Sequence, residues 1–156
     1  MARFEFEFTS RLSGPPEAVW RWITSLEGIS AEMRPWMRMS APGGIGSILD
    51  LEVVPGQRLF RSTLYLLGFL PIDRSDLTLV EIEPGRGFVE QSAMLSMRLW
   101  RHERRILDDP GDPAGVLLVD RLTFEPKLGG PLVGWFTRRF FEHRHRVLRA
   151  RLGSGS

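Results

Sequence analysis

Residues 131–152 constrain this chain more than any other stretch. After Gly134 they contain no proline or glycine, which leaves room for about five turns of uninterrupted helix. At about 100° per residue, Val133, Phe136, Phe140 and Val147 fall on one stripe with His143 at its middle. Arg138, His145 and Arg149 fall on the opposite side. A rod with one wide apolar face needs a surface to bury that face against.

The sequence upstream supplies such a surface. Residues 47–54, 58–67, 76–82, 87–95, 97–107 and 116–125 alternate with a period of two. Between them stand turn signals: Pro55-Gly56, Gly68-Phe69-Leu70-Pro71, Pro84-Gly85-Arg86-Gly87 and Asp109-Pro110-Gly111-Asp112-Pro113. Short loops between successive strands predict an antiparallel meander. At the N-terminus Phe4, Phe6 and Phe8 alternate with Glu5 and Glu7, giving a first strand with one buried face. Gly14-Pro15-Pro16 then stops that strand and opens a helix carrying Val19, Trp20 and Ile23. A second short helix is expected over Leu26–Met33, ending before Pro35. The predicted class is α+β: a curved antiparallel sheet of about seven strands wrapped around a long C-terminal helix, with two short helices after the first strand. The first strand is expected to pair with the last, leaving the helix across the hollow of the sheet.

Composition narrows the function. A chain of 156 residues, 42% apolar and 26% charged, has the balance of one globular domain, here expected over residues 1–152. The remainder, Gly153-Ser154-Gly155-Ser156, reads as a flexible tail. No apolar run reaches the ~18 residues of a membrane span, so no stable membrane insertion is expected. Patterned sequence starts at Arg3 with no apolar export segment before it. There is no cysteine, which excludes thiolate chemistry and makes a cytoplasmic location the default expectation. The pI near 9.9 coexists with a net charge of only +2, and Lys127 is the one lysine. That is a solvated arginine-rich surface rather than a nucleic-acid footprint, so no nucleic-acid partner is expected.

The helix opening "PPEAVWRWI", together with "WRHER" (100–104), "DRLTFEP" (120–126) and "FFEHRHRVL" (140–148), resembles the SRPBCC superfamily. This is the START-like helix-grip group that includes polyketide cyclases and the birch-pollen allergen, and the chain is most similar to a small bacterial polyketide cyclase/dehydrase-like branch. The resemblance extends over residues 3–152. It implies a cavity between helix and sheet that holds an apolar or amphipathic small molecule of the lipid, polyketide or isoprenoid kind. It also implies an alternative, a polyketide cyclase, aromatase or dehydratase.

The candidate chemistry lies in "RLWRHERRI", residues 98–106. Trp100, His102, Arg104 and Ile106 share one face; the other carries Arg101, Glu103 and Arg105 and is the outer one. On the next strand Asp120 shares an inward face with Leu118, Leu122 and Phe124. A hairpin centred on Gly111 sets His102 opposite Asp120, Arg104 opposite Leu118 and Trp100 opposite Leu122. Such a pair has two readings: Asp120 satisfies buried groups, or it orients His102 as an acid–base group. The expected ligand contacts are Trp36, Trp100, His102, Arg104, Asp120, Leu122, Phe136, Phe140 and His143, with His102 and Asp120 as the catalytic candidates. Trp36 would stand at the cavity mouth, near the adaptable side chains of Met33, Met37 and Met39.

No metal or cofactor is expected. His143 and His145 diverge by about 200° around the helix, HExxH is absent, and Gly43-Gly44-Ile45-Gly46 lacks the lysine of a phosphate loop. No GxSxG elbow occurs.

Overall fold

A computed structural model describes residues 2–153. Residues 154–156, most of the expected tail, lie outside the described residues. Strand β1 (Phe4–Ser13) leads through helices α1 (Pro16–Thr24) and α2 (Leu26–Met33) to the short strand β2 (Met37–Met39). Strands β3 (Arg58–Leu66), β4 (Leu70–Glu83), β5 (Gly87–Gln91), β6 (Ala93–Met94), β7 (Met97–Asp108) and β8 (Gly115–Pro126) follow, and helix α3 (Gly130–Leu152) closes the chain. The strands form one antiparallel sheet in the order β1-β8-β7-β5-β4-β3-β2, with β6 added to β4. The first strand pairs with the last, as expected.

Bulges interrupt the β3–β4, β4–β5 and β7–β8 ladders. Each adds local bend and twist, which curls the sheet around α3. The helix lies so close to β1 that a Cβ on Gly134 would stand 2.5 Å from the Phe4 ring. Glycine at that position is a packing requirement. Two apolar clusters pack beneath the helix. One joins Leu12, Val19, Ile23, Leu79 and Leu148, and the other joins Phe124 and Phe141 with Phe4, Phe6 and Phe8.

Two local expectations are corrected. Residues 47–54 are no strand: Ile48–Asp50 is a single 3₁₀ turn. Asp50 accepts from the Gly46 and Ser47 amides, and Ser47 Oγ accepts from Leu49 N. These side-chain bonds satisfy the backbone locally and displace a ladder. The break expected at 68–71 is only a tight turn with Leu67 and Gly68 at φ 54° and 83°, and the strand resumes at Leu70. Pro71 is tolerated there because it sits at the β3–β4 bulge. Strand β2, hydrogen-bonded to residues 64–66, carries too few residues to show a period.

The buried face of α3 is also turned from its expected position. The buried residues of α3 are Gly134, Thr137, Phe141, Arg144, His145 and Leu148. Phe136 and Phe140 occupy the adjacent arc and face the cavity instead. His145, expected on the outer side, is 2% exposed. Counting apolar residues alone misses this row because Thr137, Arg144 and His145 belong to it.

Candidate functional site

Between α2, α3 and the concave face of β2–β7 lies a cavity of about 460 Å³, within the ~300–1,000 Å³ of small-molecule sites. Its walls are overwhelmingly apolar: Ile23, Leu64, Leu79, Phe88, Phe136 and Phe140. Met33, Met37, Met39, Met94 and Met97 also reach it, so every methionine except Met1 lines the cavity. Methionine has the flexibility to adapt to an irregular guest. Ile72, Leu132 and Trp135 contribute to the lining while remaining 47%, 70% and 58% exposed, which marks the mouth between β4 and the start of α3.

One wall is polar. The β7–β8 register pairs Arg104 with Asp120, His102 with Leu122 and Trp100 with Phe124. The expected pairing is therefore corrected by two residues. Successive turns, Asp109 O to Asp112 N and Asp112 O to Gly115 N, centre the hairpin on Asp112 rather than Gly111. An even displacement keeps every side chain on its face. His102 Nε2 accordingly still donates to Asp120 Oδ1, diagonally, at 2.6 Å.

Asp120 is fully buried and is the hub of the cluster. Besides His102 it accepts from Arg104 Nε at 2.8 Å, Arg104 Nη2 at 3.0 Å and His145 Nε2 at 2.7 Å. Arg104 bridges onward to Glu32 of α2, with Nη1 at 3.1 Å and Nη2 at 2.7 Å from its two oxygens. Glu32 also accepts from Trp22 Nε1 and Arg144 Nε. Ser10 Oγ accepts from Arg149 Nη1 at 2.9 Å, so its own proton is free for His145 Nδ1 at 2.7 Å. That leaves His145 Nε2 as the donor toward Asp120. The network ties β1, β7, β8, α2 and α3 together through charged bonds of the stronger class.

Electrostatics set the protonation. Burial alone would raise the Asp120 carboxyl, but the charges of Arg104 and His102 and the bonds from both histidines hold it well below the usual range. Burial likewise opposes ionisation of Glu32, and Arg104 and Arg144 outweigh it, so its pKa is lowered. Burial would push His102 down; the adjacent Asp120 charge and bond, with Glu90 behind, push it up from 6.5. Glu90 Oε1 stands 3.8 Å from His102 Nδ1, an ion-pair separation rather than a hydrogen bond. His102 thus stands between two carboxylates that both favour its protonated form.

A folded-state pKa above the unfolded value means that His102 stabilises the protein fully below pH 6.5 and loses this contribution as pH rises through its folded pKa. Wild-type unfolding free energy should therefore decline above neutrality. His102→Gln should flatten that decline, as urea titrations at stepped pH would show.

Of the residues expected at the site, Trp100, His102, Arg104, Phe136 and Phe140 line the cavity. Asp120 lies behind the wall, and Leu122 packs in the core with Phe124 and Phe141. Trp36 is 45% exposed, its ring edge-on to His143 at 6.4 Å, and both stand outside the lining. His143 Nε2 donates to Arg34 O at 2.6 Å, which ties α3 to the end of α2. Sequence reasoning missed Glu32, Glu90, Arg144 and His145. Glu32 had a visible signal, a carboxylate beside the apolar Ile29 and Met33 in a short helix.

A sheet gripping a long terminal helix, with a cavity between them, defines the START-like helix-grip class. Solved structures agree on the fold. A START superfamily protein from Mycobacterium smegmatis is 16% identical, with a TM-score of 0.65, over 95% of this chain and 96% of that one. A Chromobacterium violaceum protein is 11% identical with a TM-score of 0.70, over 96% and 98% of the two chains. Ara h 8.0201 is 12% identical with a TM-score of 0.62, over 96% and 97%. Within that class the chain belongs to the family described as a domain of unknown function, DUF8410, whose profile matches residues 10–152. No curated protein matches it by sequence. Among the described residues, no helix is long and apolar enough to cross a membrane.

Proposed function

We propose that residues 1–152 act as one binding unit that holds an apolar or amphipathic small molecule, of the lipid, polyketide or isoprenoid kind, in the cavity between sheet and α3. The observation that carries this reading is the cavity itself: about 460 Å³ of unfilled, largely apolar space with an apolar mouth. Protein interiors are normally packed to the density of organic crystals. An unfilled volume of this size forfeits contacts on every wall, which a guest would restore.

The arrangement favours binding over acid–base catalysis. His102 directs one N–H at Asp120 and its other ring nitrogen lies 3.8 Å from Glu90 Oε1, and both carboxylates favour the protonated ring, a form with no lone pair to take a ligand proton. Native mass spectrometry of the protein purified from cells tests the reading. A co-purified small molecule that is released on unfolding is the expected result. A protein of bare chain mass, which also takes up no added fatty acid, isoprenoid alcohol or polyketide, would contradict it.

A further inference from the structure

Arg144 is the member of the polar wall that the protein leaves unfinished. It stands on α3, is 9% exposed and lines the cavity. A guanidinium has five N–H donors, and Arg144 commits its Nε–H, to Glu32 Oε1 at 3.1 Å. Among the described residues, neither terminal nitrogen meets an acceptor. Arg104 already spans both Glu32 oxygens, so that carboxylate has little more to offer its second arginine. The Arg144 group lies over the Phe141 ring, 5.0 Å from its centroid. On the β4 wall of the same cavity, Ser75 Oγ is buried and has no hydrogen-bond partner.

We infer that the Nη1–Nη2 edge of Arg144 is the anchor for the carboxylate of an amphipathic acid whose apolar body fills the cavity. This rests on the binding function proposed above and gives the ligand a chemical class. Two parallel N–H groups on a planar, oriented guanidinium match the two oxygens of a carboxylate, which a hydroxyl or an ester cannot reproduce. Burial of charged groups is costly unless they are paired, and an unpaired guanidinium edge inside an apolar cavity gains most from an anionic partner. Consistent with this, burial foremost, and then the neighbouring Arg104, lower the pKa of Arg144 despite Glu32 and Asp120, leaving its charge under-compensated until an anion arrives. Asp120, Glu32 and Glu90 are themselves committed to His102, His145, Ser92 and the two arginines. A carboxylate at Arg144 therefore displaces none of their bonds.

The test compares cis-parinaric acid with its methyl ester, using energy transfer from tryptophan (Trp100 stands in the wall) as the readout. Wild type should bind the acid about tenfold or more tightly than the ester, the scale of a hydrogen bond to a charged group. Arg144→Gln should bring the acid down to the ester and leave the ester unchanged. Glu32 keeps Arg104 and Trp22 in that variant, which supports folding. Arg144→Lys retains the charge without the paired donors and should keep part of the preference, and it decides the matter if the glutamine variant does not fold. Equal binding of acid and ester by wild type would overturn the carboxylate assignment while leaving the binding function intact. Preference for the acid that is undiminished in either variant would overturn the role of Arg144. Failure of both probes to bind would contradict the binding function itself.

Discussion

Replacing Asp120 by asparagine is expected to destabilise the protein by about 3–5 kcal/mol, the cost of leaving buried charges without their partner. Asp120 accepts four bonds, from His102, Arg104 twice and His145, and it is completely buried. Asparagine keeps the volume but offers one acceptor oxygen, and it turns an N–H toward donors that need acceptors. Urea denaturation would register the loss as a lower midpoint at an unchanged slope. The wild-type acid limb should respond as well. A carboxyl held below 3.8 stabilises the fold above that pH and loses the contribution as pH falls through its folded value. Asp120→Asn should shrink that limb, with Glu32 sustaining the remainder. A variant as stable as wild type would mean that the network is surface-like in strength, contrary to its burial.

Ser75→Leu carries the second large effect, and its sign is the informative part. Ser75 Oγ has no hydrogen-bond partner, so its removal breaks nothing in the protein. The added carbons would project into the cavity, each buried CH₂ contributing about 0.8 kcal/mol. Stability should rise by about 1–2 kcal/mol while affinity for an apolar guest falls more than tenfold. In a filled core the same change would instead cost about 1–3 kcal/mol by overpacking. Paired melts and ligand titrations separate the two cases. A destabilised variant that binds as well as wild type would show that the void is not where the guest sits.

How far the sequence foretells these features depends on which physical signal each one leaves. Strong periodicity made the long elements α3, β7 and β8 legible, Pro35 marked the end of the short α2, and the β1–β8 pairing followed from closing the sheet. The inward placement of His102, Arg104 and Asp120 was equally readable, because Arg101, Glu103 and Arg105 mark the opposite face. Register was not, since a two-residue slip leaves the face pattern unchanged and only the turn chemistry of Asp109 and Asp112 decides it. The face of α3 was misjudged for a related reason. Arg144 and His145 look like solvent-facing residues until Glu32, Asp120 and Ser10 supply their partners from three other elements. Tertiary pairing of this kind has no local signature. Nor does the turn at Ile48–Asp50, where Leu49, Leu51 and Val53 alternate with Asp50 and Glu52 and mimic a strand although side chains have taken over the backbone bonds.

The five cavity methionines offer a direct reading of whether the hollow takes a guest, since Met33, Met37, Met39, Met94 and Met97 surround it. With methyl-¹³C methionine incorporated, titration of palmitic acid followed by methyl NMR should shift or broaden these five signals together and saturably. Signals that stay in place through a large excess of palmitic acid, of an isoprenoid alcohol and of an aromatic polyketide would contradict the assignment of this cavity as a binding site.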